Sequence, residues 1–389
     1  MTGTRKTRVA IVHLLPAPYR IPLFERLLKD EELDIRLFFT ERSSSERPLW
    51  SLSSLTSDSR IVLLPEVGVK SRKFPGEKIR FNMTLSRIID WDPDVVLVYG
   101  HNDLTSLLTT FMCMWRGIPY VLFAEISNKK EWSLQRKLSY PLQRYLVQKA
   151  SWLVPASSGA GSFYLFLGGR KETMTVIPCV PDIRRLEENA DALRNRSSET
   201  RAKLDLRDKF VLLFVGRLYE NKGIRELLEA MKRIHEADAR VVLLILGTGP
   251  MEHEVKEKCE RLDGAARHLG FVSDESLAEL YAIADLHIMP SWDEPYGVVC
   301  AEALASGVPT VITRTSGCTD LVSDGVNGFI IDPRDPDQIQ SAVLKVSRDS
   351  DLQHRLRANT RAVVDRYTMD DLYVMMKQVI MSAKRDHDE

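Results

Sequence analysis

The run from Ser291 to Val311, SWDEPYGVVCAEALASGVPTV, holds two glutamates, Glu294 and Glu302, eight positions apart. Between them stands Tyr296-Gly297-Val298, and the stretch behind them reads as helix until Gly307-Val308-Pro309. The string contains no nucleophile–base pair and no metal-ligand spacing. It has the chemistry of a helix N-terminus offered to an anion. A helix starting near Gly297 leaves the N–H groups of Gly297 and Val298 without intrahelical acceptors, with the positive end of the dipole behind them. Gly297 admits a ligand close to the backbone. Glu294, just ahead of the helix, can accept hydrogen bonds from sugar hydroxyls. Glu302, about five residues inside and roughly 7–8 Å along the axis, can take a second diol such as a ribose. Either glutamate alone would be an ordinary residue, favouring the dipole or facing solvent. With Pro295, Tyr296 and Gly297 in place, the pair describes a site for a phosphorylated sugar.

A second cluster is VGRLYENKGI, Val215 to Ile224. A strand is expected to end at Gly216, with Arg217 at its carboxyl end and Lys222-Gly223 opening the next helix. A planar, bidentate guanidinium beside a mobile ammonium suits a diphosphate. Most Arg and Lys are simply solvated; here their position at a strand end points to anion binding.

Together these two elements resemble the family-four retaining glycosyltransferases of the GT-B architecture, across the whole second half of the chain. Supporting pieces are Gly247-Thr248-Gly249-Pro250 after a strand, Leu269-Gly270-Phe271-Val272 before a helix, and Thr315–Leu321 followed by Asp324-Gly325 and Asn327-Gly328-Phe329. The resemblance implies two doubly wound Rossmann-like domains facing across a cleft, and a nucleotide-sugar donor. By position it implies Gly216, Arg217 and Lys222 at the diphosphate, Glu294 at the sugar and Glu302 at the ribose. Gly297 and Val298 would meet the phosphate or sugar, and the backbone near Val272 the base. Arg217, Lys222 and Glu294 are the residues expected to carry catalysis.

The first half resembles the family in its strand order and in PAPYRIPLF, Pro16 to Phe24. Many members carry a glycine pair in that loop. Prolines stand here, so Tyr19 and Arg20 become candidates for meeting an acceptor or a phosphate. Where many relatives place a histidine, after Tyr120–Ala124, this chain has Glu125, a candidate to touch the transferred sugar or act as base toward the acceptor. His101, after Val95–Gly100, is a further acceptor-side candidate.

Two look-alikes carry less. Gly247-Thr248-Gly249 follows a strand as in a dinucleotide fingerprint, but Glu252 occupies the third glycine position, and no acidic residue is placed for an adenosine ribose. Asp90-Trp91-Asp92-Pro93-Asp94 imitates paired metal-binding aspartates; its Pro93-Asp94 reads better as a turn into a strand. No His/Cys cluster has metal spacing, so no essential metal and no cofactor are expected. The co-substrate is a nucleotide-diphosphate-sugar, with UDP or GDP as the nucleotide.

These groups need a scaffold, and the pattern supplies one. Short β-rich runs alternate with helical segments, which predicts parallel sheets with crossover helices. The expected strands are Arg8–Leu14, Leu33–Phe39, Arg60–Leu64, Val95–Tyr99, Tyr120–Ala124, Ser151–Val154 and Met174–Ile177, then Lys209–Val215, Arg240–Leu246, Leu286–Met289, Thr310–Ile312 and Gly328–Ile331. The charged stretch Asp182 to Asp208 is the expected crossing between domains. That places an acceptor-side domain over 1–185 and a donor domain over 186–367. The amphipathic segment 368–389 looks like the family's closing helix, which packs back on the first domain.

At 389 residues the chain has room for two such domains. Residues 1–185 hold 27 Lys/Arg against 18 Asp/Glu, and the remainder 27 against 36, a basic half joined to an acidic half. Five cysteines without a C-x-x-C pair fit a reducing cytoplasm. The apolar run Val9 to Leu15 is too short for a leader and reads as the first strand. Lys129, Lys130, Arg136, Lys137, Arg144 and Lys149 flank Trp132, Leu134, Leu138, Tyr140, Leu142 and Leu146, which suggests peripheral docking on anionic lipid at the inner face of the cell membrane. The same segment also fits an ordinary domain helix. The expected partners are the nucleotide-sugar and a glycan or lipid-linked acceptor, not nucleic acid. Transfer by front-face attack with retention is what the resemblance implies. A sugar-nucleotide epimerase, a phosphorylase or a non-catalytic nucleotide-sugar-binding subunit on the same plan remain the alternatives.

Overall fold

The structure is a computed structural model that describes residues 5–15, 17–40, 58–70, 78–82, 84–100, 104–126 and 139–388. The chain divides into two compact units: Met1–Glu125 with Trp132–Cys179 and Met369–Glu389, and Ile126–Glu131 with Val180–Thr368.

The first unit carries strands β1 (Thr7–His13), β2 (Leu33–Phe39), β3 (Ile61–Leu63), β4 (Glu66–Lys70), β5 (Lys78–Asn82), β6 (Val95–Tyr99), β7 (Tyr120–Ala124) and β8 (Trp152–Pro155). Six of them form a parallel sheet in the order β3-β2-β1-β6-β7-β8, while β4 and β5 pair as a separate antiparallel hairpin. Strands β6 and β7 are buried along their whole length, as strands covered on both faces must be. The chain turns back between β1 and β6, where the strand order changes direction. The last helix, Met369–Asp388, lies against helix Ile21–Leu28 and β6 to β8.

The second unit repeats the plan with β9 (Phe210–Val215), β10 (Val241–Leu246), β11 (Ala266–Gly270), β12 (Leu286–Met289), β13 (Thr310–Thr313) and β14 (Gly328–Ile331), in the parallel order β11-β10-β9-β12-β13-β14. Alternate residues of β9 and β10 feed two cores. Phe210, Leu212, Phe214, Leu243 and Ile245 point into one; Val211, Leu213, Val242, Leu244 and Leu246 into the other. The direction of winding reverses between β9 and β12, so the crevice of this sheet opens at their carboxyl ends.

The two doubly wound sheets are those expected, with four local differences. Met174–Ile177 forms no strand: it runs beside β8 through Thr175 N–H to Leu153 O (3.0 Å) and Ile177 N–H to Pro155 O (3.0 Å), bonded on one side only before Pro178. Strand β11 is additional; its sequence ARHLG is half polar because it lies at the sheet edge, where an apolar run is not required. The β4–β5 hairpin is also additional. Asp182–Asp208 folds as two helices of the second unit, Ile183–Arg194 and Ser197–Lys203, the first capped by the Asp182 carboxylate accepting from Arg185 N–H (3.3 Å). Among the described residues no helix is long and apolar enough to cross a membrane.

Candidate active site

Strand β9 ends at Val215, and Gly216 and Arg217 follow at the carboxyl edge. The chain then makes a single 3-10 turn, Glu220–Lys222, before Gly223 starts the helix Ile224–Ala237. Gly223 takes φ +69°, and a Cβ there would stand 2.1 Å from the carbonyl oxygen of Pro290. The loop after β9 therefore touches the loop after β12, and only glycine permits the approach. Asn221 strengthens the junction: its side-chain amide donates to Asp293 O (2.9 Å), and its backbone carbonyl accepts from Trp292 N–H (2.9 Å).

Across this junction the Lys222 ammonium meets the Glu294 carboxylate, Nζ to Oε2 at 2.5 Å, both side chains mostly buried. Ser291 Oγ donates to the same oxygen at 3.4 Å. The Glu294 backbone is pinned from the next loop, its carbonyl accepting from Gly317 N–H (2.9 Å). Thr313 and Thr315 donate their hydroxyls to Ser291 O at 2.5 and 3.3 Å. Loops after β9, β12 and β13 thus fix one carboxylate. Arg217, four residues from the junction in the same loop, lays its guanidinium over the Tyr219 ring at 4.8 Å.

Helix Val298–Ala305 begins where the sequence placed it, with Gly297 as its cap in the left-handed region, φ +96°. A Cβ at Gly297 would stand 2.7 Å from the terminal carbon of Met289 and 3.2 Å from Cys318 Sγ, so the turn is close-packed from beneath. In its first turn Cys300 N–H donates to Gly297 O (2.9 Å), while the N–H groups of Gly297 and Val298 precede any acceptor of the helix itself. Further along it, Glu302 accepts from the Tyr281 hydroxyl at 3.1 Å. Burial raises the Glu302 carboxyl to about 7, with Asp274 adding to the rise and the Tyr281 bond opposing it. Val272 follows β11, two strands from β9 at the same carboxyl edge, partly buried against the core that includes Val242 and Leu244.

The first unit gathers a different group. Arg20 is only 2% exposed and donates from Nη2 to Glu125 Oε1 at 3.0 Å. Tyr19 Oη (3.4 Å) and Cys179 Sγ (3.1 Å) donate to the same oxygen. The Arg20 guanidinium also lies over the rings of Phe123 (4.2 Å) and Tyr99 (5.1 Å). Burial alone would raise the Glu125 carboxyl, but the Arg20 charge and the bonds from Cys179 and Arg20 hold it below its ordinary value. Burial likewise pulls against the Arg20 charge, and Cys179, Tyr99 and Glu125 together raise it instead. His101 and Pro16, with Lys129, Lys130, Trp132, Leu134, Arg136, Lys137 and Leu138, lie outside the described residues.

The structure thus joins Lys222 to Glu294, sets Gly216, Arg217, Gly297, Val298 and Val272 along one sheet edge, and separately joins Tyr19 and Arg20 to Glu125. Sequence reasoning missed Ser291, Asn221 and Tyr281. Ser291 and Asn221 flank recognised motifs and could have been included by adjacency. Tyr281 sits in a different helix, Asp274–Ile283, with no local signal pointing to Glu302.

Residues 196–363 match the family described as glycosyl transferases group 1. An uncharacterized glycosyltransferase of Methanocaldococcus jannaschii is 35% identical over 170 residues, 42% of this chain and 43% of that protein. Glycogen synthase of Mycobacterium tuberculosis is 26% identical over 304 residues, 76% of this chain and 70% of that protein. The chain therefore spans less than half the length of the archaeal relative. The crystal structure of Anabaena HepE in complex with UDP superimposes with a TM-score of 0.75 at 18% identity, covering 97% of this chain and 100% of that one. Residues 196–363 thus match the glycosyl transferases group 1, and the chain as a whole has the GT-B architecture of two Rossmann-like domains.

Proposed function

We propose that this protein transfers a sugar from a nucleotide-diphosphate-sugar to a glycan or lipid-linked acceptor, with retention at the anomeric carbon. The observation that carries the reading is the Lys222–Glu294 pair, which ties two switch-point loops together beside the glycine-started helix at Gly297. The glycogen synthase relative and the HepE complexes with UDP and UDP-glucose support the donor class. UDP heads the candidate nucleotides and GDP follows.

In this reading Arg217, Lys222 and the first-turn N–H groups at Gly297 and Val298 stabilise the charge that develops as the bond between the anomeric carbon and the diphosphate breaks. Preorganised donors of this kind are worth roughly 3–4 kcal/mol each. Because these groups supply the positive charge, the reading calls on no metal. Glu294 accepts from hydroxyls of the sugar, Glu302 from the ribose, and the backbone at Val272 meets the base. Attack by the acceptor hydroxyl comes from the face the phosphate leaves, and the departing phosphate takes the proton. Glu125, oriented by Arg20, and Tyr19 are the acceptor-side groups, and residues 1–185 the acceptor-side domain.

The test is turnover against a panel of UDP-, GDP- and ADP-sugars with and without acceptor, followed by the anomeric configuration of the product. Glu294→Ala is expected to lower turnover at least about 100-fold with an unchanged far-ultraviolet circular dichroism spectrum. Undiminished turnover, an inverted product, or an epimerised sugar-nucleotide formed without acceptor would overturn the assignment.

A further inference from the structure

The helix Leu104–Arg116 that links β6 to β7 is inside out. Its buried side carries Thr105, Ser106, Thr109, Thr110 and Cys113. Its outer side carries Leu104 (38% exposed), Leu108 (38%), Phe111 (40%) and Trp115 (78%). The spacing i, i+4, i+7, i+11 makes these four a single stripe. Two of the buried hydroxyls are satisfied within the helix: Thr109 Oγ1 donates to Thr105 O, and Thr110 Oγ1 to Ser106 O, both at 2.8 Å. Small side chains fill the covered side of the helix, Leu107, Met112 and Met114 are partly covered, and Leu104, Leu108, Phe111 and Trp115 are left outside. In water alone that distribution is unfavourable, and contiguous exposed apolar surface marks a contact.

The neighbouring elements say what the contact is with. Strand order advances in one direction from β6 to β7 to β8. Right-handed crossovers then put helix Leu104–Arg116 and helix Tyr140–Lys149 on the same face of the sheet. The second helix also exposes apolar groups, Leu142 and Tyr145, and between them Arg144. Arg116 packs its guanidinium over the Trp115 ring at 5.0 Å, and Lys149 closes the second helix, both exposed. Neither helix contains an acidic residue. Between residues 104–126 and 139–149 the one carboxylate is Glu125, which is neutralised by Arg20. A second copy of this chain meeting the face head-on would oppose cation to cation. A surface that is apolar, aromatic and uniformly basic complements an anionic lipid bilayer.

We propose that the first unit docks on anionic membrane through the stripe Leu104, Leu108, Phe111 and Trp115, with Arg116, Arg144 and Lys149 meeting the headgroups. This inference does not rest on the donor-site reading. It adds the helix Leu104–Arg116 to the segment around Lys129–Lys149, of which residues 139–149 are described.

The experiment is co-sedimentation of the full chain with vesicles of phosphatidylcholine alone and with roughly one third phosphatidylglycerol. Wild type is expected to bind the anionic vesicles and to lose binding as salt rises. The double variant Phe111→Ser, Trp115→Ser is expected to bind at least about tenfold more weakly, and Trp115→Phe to keep most of the affinity. Trp115 is largely exposed but Phe111 is more than half covered, so a modest loss of thermal stability is expected from the double variant, and the salt and lipid-charge dependence of wild type tests the idea independently of any variant. No binding to anionic vesicles, equal binding to neutral ones, or full binding by the double variant would overturn it. So would a wild-type dimer in analytical ultracentrifugation that the double variant dissolves, since a second copy would then cover the face.

Discussion

Glu302 is a carboxyl whose surroundings set its charge. Burial holds its proton to about 7, against an ordinary value of 4.5, while the Tyr281 hydroxyl partly offsets the effect. A folded-state value above the unfolded one means that the folded protein binds the proton more tightly. The resulting stabilisation is present below pH 4.5, declines as pH rises from there, and is gone above about 7. Wild type should therefore lose thermal stability relative to Glu302→Gln across that interval, measured by melting at each pH with no nucleotide present. Parallel curves for the two proteins would show that Glu302 is not held neutral. If ribose hydroxyls do bind this carboxyl they favour its ionised form, so nucleotide affinity should rise through the same interval in wild type only. The Arg20–Glu125 pair shows the opposite case. There a buried guanidinium keeps a carboxyl ionised, and its cost in desolvation is met by Glu125 and Cys179 plus the faces of Phe123 and Tyr99.

At the scale of elements, the proposed donor site is a crossing of loops rather than a property of any one of them. The loop after β9 supplies Lys222, the loop after β12 supplies Glu294, and the loop after β13 pins Glu294 through Gly317. Gly223 is where the first two of these loops come close together. Gly223→Ala needs a left-handed backbone for alanine and pushes a methyl group to 2.1 Å from Pro290 O. The expected cost is roughly 2–4 kcal/mol of stability, read by urea denaturation, together with weaker nucleotide binding because the Lys222–Glu294 contact must open. A loss below about 0.5 kcal/mol would mean that the two loops part without strain.

Over the whole molecule, the last helix returns to the unit that contains the first strand. Its Lys377 Nζ meets Asp30 Oδ2 at 2.8 Å and Glu32 Oε1 at 3.2 Å, and the Tyr373 hydroxyl donates to Asp30. Asp30 also accepts from the N–H groups of Glu32 (2.7 Å) and Leu33 (3.2 Å). Burial would raise its carboxyl, but the bonds from Lys377 and Tyr373 outweigh that and hold it below the ordinary range, so the tie persists at neutral pH and loosens only in acid. The helix also buries Leu372, Met376, Val379, Ile380 and Ala383. Ending the chain at Thr368 should lower the melting transition of the first unit and leave that of the second in place in scanning calorimetry. Equal shifts in both transitions, or none, would contradict this assignment of the helix.

Much of this was legible in the chain itself. Buried parallel strands must be continuous apolar runs, so β6, β9 and β10 were visible as such. The string Glu294 to Glu302 carried its own helix start, because Gly297 is a local requirement of the backbone. Edge strand β11 was hidden because an edge need not be apolar, and the helices within Asp182–Asp208 because their faces are mostly charged. Local sequence thus determined which groups stand at strand ends and where the helix after Gly297 begins. Tertiary structure alone decided that Lys222 closes on Glu294, that Tyr281 reaches Glu302, and that Arg20 turns inward to Glu125 and Cys179. Each of those contacts joins residues from about 20 to about 160 positions apart. Such contacts form when sheet order brings loops together, and no local pattern encodes the distance between them. The outward stripe of Leu104–Arg116 belongs with them, since the same helical period fits either face against the sheet until packing chooses the small one.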